Sequence, residues 1–208
     1  IPFQIGMISF PKFDLYKSLK SEYAAKAAPK LITPTSGQYL GIEGRGRPGD
    51  ATFGDHVAAL YAVAYTTKMR SKVHDDQDYA VGKLETIWLE LPAQRESYAW
   101  HWQLLIRTPD FVSPVAVNTA IQVLLDKKKS PRVQQVSLHS LDEGPCVQIL
   151  HVGPYEDEPQ SFAIMQEFAA TEGFSEFGRP HEIYLSDPRR VEPAKLKTIL
   201  RLPVSRGT

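Results

Sequence analysis

Hydrophobic residues follow two spacings along the chain, and these spacings predict a mixture of helices and strands. Phe53, Val57, Leu60 and Ala64 recur every three or four residues and predict a long amphipathic helix over residues 53–69. The same spacing predicts helices within residues 109–129 and 159–171. Short stretches rich in Ile, Val, Leu and Trp predict strands over residues 38–44, 84–91, 98–107, 133–138, 146–152, 181–186 and 196–203. The pattern therefore predicts an α+β fold.

The predicted elements occur twice in the same order, namely strand, turn, long helix, strand, turn and strand. This repetition predicts an internal duplication into β-α-β-β units related by a pseudo-twofold axis. Residues 84–91 then correspond to residues 181–188, so Glu85 matches Glu182. We predict one domain over residues 1–208, with a leading arm (1–30), a first repeat (31–108), a linking helix and strand (109–140) and a second repeat (141–205).

The stretch 180–190 carries the most specific chemistry in the chain. Alternation along the strand predicts that His181 shares one face with Ile183, whereas Glu182 shares the other face with Tyr184. A carboxylate beside a phenol is typical of binding clefts, although a solvated strand residue is the common alternative for a single glutamate. Because ligand sites favour interfaces between halves, we expect Glu182 and Glu85 to face each other across a cleft.

Glu85 shares its predicted face with the apolar residues Ile87 and Leu89. A half-buried carboxylate either finds a basic partner or carries a raised pKa. Both interpretations of Glu85, a structural ion pair and a site residue, stay open at this point.

Charge and cysteine content narrow the function classes. The 208 residues include 24 basic and 24 acidic side chains, so there is no general electrostatic attraction to nucleic acid or anionic membrane. Cys146 is the single cysteine, and no cluster of Cys and His has zinc-ligand spacing. Residues 1–5 do not resemble a signal peptide, and no apolar run approaches membrane-spanning length. We therefore predict a cytoplasmic protein without a metal or cofactor.

Several motifs together resemble the stand-alone branch of the GyrI-like family, within the SOUL and effector-binding superfamily. The resemblance spans residues 28–204 and includes Ala28-Pro29-Lys30, Leu60-Tyr61, Tyr65, Lys68-Met69, Leu84-Glu85, the run from His151 to Tyr155, the run from His181 to Arg190, and Leu196-Lys197-Thr198. It implies a curved antiparallel sheet around a central groove that takes bulky, often aromatic molecules, with helices on one face. It also implies that Glu182 corresponds to the buried glutamate at the groove centre in multidrug-responsive regulators. The stretch 82–89 departs from the family pattern by lacking its second tryptophan, which puts the substrate range in doubt.

Some stand-alone relatives resemble hydrolases that open the cyclopropane ring of DNA-alkylating aromatic compounds. On that resemblance we expect a detoxifying hydrolase with Glu182 as the base, Glu85 in support and Tyr65 or Tyr155 as donor to the developing oxyanion. The expected ligand-binding residues are Tyr61, Trp88, Trp102, Tyr155 and Tyr184. Taken alone, each of these aromatic residues is more often a core residue than a site residue, because the fold also needs aromatic rings in its core. A protein that binds drugs or metabolites without turnover is the alternative, and contact with DNA gyrase is a weaker one.

Overall fold

The structure is a computed structural model in which residues 12–90 and 100–206 are described. The turn predicted at residues 92–97, the start of the strand predicted at 98 and the first eleven residues of the leading arm lie outside the described residues. The helices are α1 (Leu15–Ser18), α2 (Lys20–Tyr23), α3 (Ala51–His74), α4 (Pro114–Asp126) and α5 (Glu158–Thr171). The strands are β1 (Lys30–Ile32), β2 (Gly37–Arg45), β3 (Glu85–Glu90), β4 (His101–Thr108), β5 (Ser137–Leu141), β6 (Cys146–Val152), β7 (Phe174–Glu176), β8 (His181–Tyr184) and β9 (Lys197–Arg206).

The described strands form a large antiparallel sheet, which confirms the predicted α+β class. Its order is β1-β6-β9-β8-β3-β4-β2-β5, and β7 pairs with β9 beside this path. Outward from the middle of the sheet, β8, β9 and β6 lie on one side and β3, β4 and β2 on the other. The internal duplication and its pseudo-twofold axis stay predictions.

The two long helices α3 and α5 pack on the same face of the sheet. Directly paired residues in neighbouring antiparallel strands point to the same face. Glu182 pairs with Thr86 on one side and with Leu200 on the other, and Thr86 pairs in turn with Leu104. Leu104 belongs to the core cluster under α3, and Leu200 belongs to the core cluster under α5. Glu182 therefore points into the space between the two helices.

The ends of α5 follow the local signals in the sequence. Glu158 and Pro159 form its first turn, where an acidic residue favours the helix dipole and proline loses no hydrogen bond. The helix ends at Thr171, and Gly173 then adopts a left-handed conformation with φ 78°. The helix predicted within residues 159–171 therefore ends at the predicted residue.

The opposite face of the sheet is covered by the described part of the leading arm. Tyr16, Leu19 and Tyr23 pack against Ile183 and Ile199 of the central strands. The arm is therefore an integral part of the fold, which the predicted division of the chain did not show.

The first core depends on close approach between β2 and β4. Gly44 lies opposite Trp102, and a Cβ on Gly44 would overlap the Trp102 ring.

We expect Gly44→Ala to lower the free energy of unfolding by about 1–3 kcal/mol because the core would be overpacked. Gly54→Ala in α3 is the matched control, since an added Cβ there meets no atom within 4 Å. Alanine favours the helix, so Gly54→Ala should stabilise the protein by about 0.5–1 kcal/mol. Urea unfolding measures both, and a Gly44→Ala protein as stable as wild type would contradict the overlap.

Candidate functional site

A groove lies on the helix-bearing face between α3 and α5, above β3 and β8. Its volume is about 1490 Å³, larger than the roughly 300–1,000 Å³ of a site for a drug-sized ligand. Residues of both halves of the sheet and both long helices line it, among them Phe53, Tyr61, Tyr65, Trp88, Trp100, Tyr155, Glu158, Phe162, Glu182 and Tyr184. The groove has room for a bulky molecule.

Glu182 lies at the floor of this groove with 6% of its surface exposed. Trp88 Nε1 donates a hydrogen bond to Glu182 Oε1 at 2.6 Å, and the Tyr184 hydroxyl donates to Oε2 at 2.7 Å. Loss of solvent raises the pKa of Glu182, although these donors and a hydrogen bond with Glu158 act in the opposite direction. Glu182 is therefore a desolvated carboxyl group held in one orientation.

Aromatic rings form the walls around that carboxyl group. Trp88 and Trp100 meet edge to face with centroids 5.0 Å apart, and Tyr155 meets Tyr184 in the same way at 5.7 Å. On α3, Tyr61 and Tyr65 stack at 6.0 Å, and Tyr65 is 56% exposed at the rim. Such surfaces suit a planar aromatic ligand, because rings can stack on it or meet its edges.

Two tyrosines of the groove remain protonated at neutral pH. Burial, with the nearby carboxylates of Glu158 and Glu182, raises the pKa of Tyr155 to about 12. Burial, with the neighbouring Tyr65, raises the pKa of Tyr61 to about 12. Their hydroxyl groups therefore keep their protons at neutral pH.

The structure brings six of the eight predicted site residues to the groove. These are Tyr61, Tyr65, Trp88, Tyr155, Glu182 and Tyr184. Their roles toward a ligand stay predictions.

Trp102 does not line the groove, contrary to the prediction. Its side chain is fully buried in the core beneath α3, where it meets Phe53 and His56 edge to face. Trp102 Nε1 donates to the Gly46 carbonyl at 3.0 Å. The sequence could not separate Trp102 from Trp100, because both occupy the same face of one strand. Only the position of α3 decides which of them is covered.

Glu85 does not face Glu182 across the groove, so this prediction is wrong. The register pairs Glu182 with Thr86, and Glu85 pairs with Ile183. A shift of one residue reverses the face of the sheet. Glu85 therefore points to the opposite face, where it is fully buried.

Glu85 belongs to a network of buried charges between the sheet and the leading arm. It accepts hydrogen bonds from the hydroxyl groups of Tyr16 and Tyr23, each at 3.2 Å, and its Oε2 lies 3.0 Å from His181 Nε2. His181 Nδ1 lies 2.8 Å from Glu143 Oε1, and Arg201 donates to Glu143 Oε2 at 2.9 Å.

A fourth ion pair completes the network, in which Arg107 donates to Glu22 Oε2 at 2.8 Å. Three carboxylates (Glu22, Glu85, Glu143) thus accompany three basic groups (Arg107, His181, Arg201). Paired in this way, the charges tolerate burial. The structural interpretation of Glu85 therefore holds, with a histidine as its ionic partner instead of the expected lysine or arginine.

The network predicts that stability depends on pH in a defined direction. Burial alone would lower the pKa of His181, but Glu143 and Glu85 outweigh it and raise that pKa to about 9. Burial would raise the pKa of Glu143, but His181 and Arg201 outweigh it and lower that pKa to about 2. His181 makes its full contribution to the free energy of unfolding below its ordinary pKa of about 6.5, and this contribution disappears as pH rises through 9. The contribution of Glu143 to the free energy of unfolding is complete above about pH 4.5, its ordinary pKa, and disappears as pH falls through 2.

Urea unfolding across pH should therefore give a maximum between about pH 4.5 and 6.5, and a fall of up to about 3 kcal/mol by pH 9. The variant His181→Gln should lose the alkaline part of this dependence. An alkaline fall of the same size in that variant would assign it to another group.

Sequence reasoning missed several groove residues. Glu158 looked like an ordinary acidic residue before a helix, and Phe53 and Val57 looked like plain core positions. All three line the groove, as do Trp100 and Phe162. The signal for Glu158 was its position directly after the 3-10 turn Tyr155–Asp157, beside a tyrosine already predicted to bind ligand.

Two further properties bear on the class of protein. In residues 12–90 and 100–206, no group of three or more His, Cys, Asp or Glu side chains is arranged to hold a metal ion. None of the helices described above is long and apolar enough to cross a membrane.

Comparison with known proteins defines the family. The model of the GyrI-like small molecule binding domain matches residues 29–205, and the chain belongs to the GyrI-like family. This confirms the resemblance inferred from the motifs. Comparison with curated proteins finds no match.

Solved structures show the same fold. A conserved protein of Listeria innocua is 39% identical over 93% of this chain and 100% of that chain, with a TM-score of 0.87. A hydrolase from Listeria innocua is 37% identical over 94% of this chain and 100% of that chain, also with a TM-score of 0.87. The C-terminal domain of EcmrR is 12% identical over 88% of this chain and 99% of that chain, with a TM-score of 0.54, and shows the fold alone.

Proposed function

We propose that the groove binds a bulky planar aromatic molecule and hydrolyses a strained cyclopropane ring conjugated to a carbonyl group. One observation carries the proposal. A desolvated carboxyl group, Glu182, lies at the floor of an aromatic groove and is oriented by Trp88 and Tyr184. This arrangement supports the proposal that Glu182 acts as a base toward water beside an aromatic electrophile.

The chemistry requires few groups from the protein. Attack of water on a cyclopropane carbon breaks a carbon–carbon bond and moves the electron pair into the conjugated carbonyl group, while ring strain lowers the barrier. The protein needs a base for the water proton and a donor for the oxygen that gains charge. Trp88 and Tyr184 each donate to one oxygen of the Glu182 carboxyl group, which orients it toward the groove.

Of the two tyrosines predicted as donors, Tyr155 is better placed than Tyr65. Its ring contacts Tyr184, which itself bonds Glu182, whereas Tyr65 lies at the exposed rim. The hydrolase from Listeria innocua supports a catalytic function for this fold, because it matches over nearly the whole of both chains.

Binding without turnover is the second candidate. The observation that favours it is the pair of short hydrogen bonds that Trp88 and Tyr184 donate to Glu182, which stabilise a fixed negative charge and thus suit a cationic aromatic ligand. A cytoplasmic location stays a prediction, and so does the weaker possibility of contact with DNA gyrase.

The two candidates differ in whether the ligand leaves chemically changed. We would incubate the protein with several aromatic compounds that carry a cyclopropane conjugated to a carbonyl group. Mass spectrometry would detect the product with one added water, and the fluorescence of the protein's tryptophans, two of which line the groove, would report binding. Product formed faster than in buffer supports the hydrolase. Binding of every compound without product would establish sequestration instead.

A further inference from the structure

A buried histidine, His151, lies near the end of β6 on the face of the sheet that carries α5, and it is 6% exposed. In the strand pairing it lies opposite Thr198, and Thr198 lies in turn opposite Tyr184. Directly paired residues of neighbouring strands point to the same face, so these three side chains form one row across the sheet. Tyr184, at one end of the row, lines the groove, and His151 is at the other end.

Both ring nitrogens of His151 have partners in the segment that follows β6. Nε2 lies 3.1 Å from the Pro154 carbonyl oxygen, and Nδ1 lies 2.9 Å from the Ser161 hydroxyl oxygen. A carbonyl oxygen only accepts hydrogen bonds, so Nε2 carries a proton and donates it. The Ser161 hydroxyl group can donate or accept, so it fits Nδ1 with or without a proton. His151 therefore joins β6 to the backbone at Pro154 and to α5.

The segment that His151 holds forms one wall of the groove. Pro154 precedes the 3-10 turn Tyr155–Asp157, and its carbonyl oxygen also accepts from the Asp157 amide at 3.0 Å. Helix α5 begins directly after this turn. The wall consists of the groove-lining residues of this segment, namely Tyr155, Glu156, Glu158, Pro159, Phe162 and Gln166.

The backbone at Gly153 lets the chain fold back over the His151 ring. Gly153 has φ 146°, a conformation that residues with a side chain rarely adopt, and a Cβ there would lie 3.4 Å from His151 Nε2. The Gly153 amide donates to the Leu196 carbonyl at 3.0 Å, which ties the start of the turn to the segment before β9. The turn is thus fixed by one backbone bond to the sheet and by the side chain of His151.

We propose that His151 is a positioning residue, which holds the Tyr155 ring against Tyr184 and so fixes where the Tyr155 hydroxyl group meets the ligand. The inference rests on the proposed function, in which Tyr155 donates to the oxygen that gains charge. His151 acts through the Pro154 carbonyl and Ser161, without touching the ligand. The run from His151 to Tyr155 then works as one unit, in which the histidine orients the tyrosine.

Two substitutions of His151 test this role in the opening of the cyclopropane compounds. Leucine removes both ring nitrogens, whereas the glutamine amide can still donate to the Pro154 carbonyl. His151→Leu should lower kcat by about tenfold to a hundredfold, because a displacement of about 1 Å in a site has an effect of this size. KM should change less than about threefold, since Trp88 and Tyr184 keep their positions. His151→Gln should recover most of the lost kcat.

A double substitution separates positioning from a general loss of stability. If His151 acts through the Tyr155 hydroxyl group, His151→Leu should change kcat less than about twofold in a protein that already carries Tyr155→Phe. Two effects that multiply would overturn the inference. An unchanged kcat in Tyr155→Phe alone would refute the donor role of Tyr155, and this inference with it, while hydrolysis itself would stand. His74→Leu, at an exposed position in the last turn of α3, is the matched control and should behave as wild type.

Hydrogen–deuterium exchange tests the anchoring without any turnover. In His151→Leu, amides of residues 157–164 should exchange about fivefold faster or more than in wild type, while those of β3 and β8 keep their rates. Unchanged exchange in residues 157–164 would refute the anchoring, even if hydrolysis is observed. Faster exchange throughout the protein would indicate a general loss of stability and also count against it.

Ser161→Ala is the second variant, because it removes one of the two hydrogen bonds of His151 and leaves the imidazole in place. It should raise exchange in residues 157–164 by a smaller factor than His151→Leu, and equal rates in Ser161→Ala and wild type would contradict the tie to α5. This variant carries the test if His151→Leu does not fold. If no compound is hydrolysed, the proposed function fails, and exchange then decides the anchoring by itself.

Discussion

Replacing Glu182 with glutamine should reduce cyclopropane opening by about a hundredfold to ten-thousandfold, equivalent to about 3–5 kcal/mol of transition-state stabilisation. The substitution keeps the volume of the side chain and removes the base. Its amide oxygen can accept from Trp88 Nε1, and its amide nitrogen can donate to the Tyr184 hydroxyl, which can rotate to accept. The aromatic walls should therefore keep their positions.

Ligand affinity should change much less than turnover in Glu182→Gln. Product formation by mass spectrometry and binding by fluorescence measure the two quantities separately. Glu192→Gln, an exposed glutamate in the connection after β8, is the control and should match wild type in both. A parallel loss of binding and turnover would show that Glu182 contributes affinity instead of chemistry. Unchanged turnover would exclude it as the base.

Replacing Arg201 with methionine should lower the free energy of unfolding by about 3–5 kcal/mol, because it removes one partner of a buried ion pair. Arg201 is fully buried and donates to Glu143 Oε2 at 2.9 Å, to Gln148 Oε1 at 2.8 Å and to the Glu22 carbonyl at 3.0 Å. Methionine fills much of the same space and provides none of these donors. A loss of this size is a large fraction of the roughly 5–15 kcal/mol that stabilises a typical domain.

The loss of stability in Arg201→Met should depend on the burial of the arginine and not on the loss of its charge alone. Arg179→Met, at an exposed position before β8, is the control and should change stability by less than about 0.5 kcal/mol. Urea unfolding at pH 6 measures both variants. Equal stability of Arg201→Met and Arg179→Met would show that the desolvation of these charges cancels their attraction.

Local pattern was sufficient to predict much of the fold. The apolar stripe predicted α3, and two apolar stretches predicted β3 and β4, which pair antiparallel. These predictions succeed because the periodicity of a helix or strand depends on residues close in sequence. The face of Glu182 was predicted for the same reason, since it follows from alternation within β8 alone.

The failed predictions concern relations between distant segments. Aligning Leu84-Glu85 with His181-Glu182 placed Glu85 opposite Glu182, but the strands pair one residue away from that alignment. Trp102 and Trp100 are equivalent in the pattern and differ only in how α3 covers them. Glu158 of α5 and Glu182 of β8 line the same groove, and nothing local to either residue indicates that they share it.

The sequence by itself determined the long helices, most of the long strands, the family and the orientation of Glu182 and Tyr184, because these depend on short-range periodicity and on recognisable motifs. The strand predicted over residues 133–138 is an exception, since residues 131–135 form a 3-10 helix and β5 begins at Ser137. The tertiary structure decided which aromatic residues are covered by core, which carboxyl groups share the groove with Glu182 and how the buried charges pair. Those outcomes depend on strand register and helix position. If a strand shifts by one residue against its neighbour, or a helix by one turn along the sheet, a side chain loses its buried partner and becomes exposed. Such a shift changes little in the local sequence pattern.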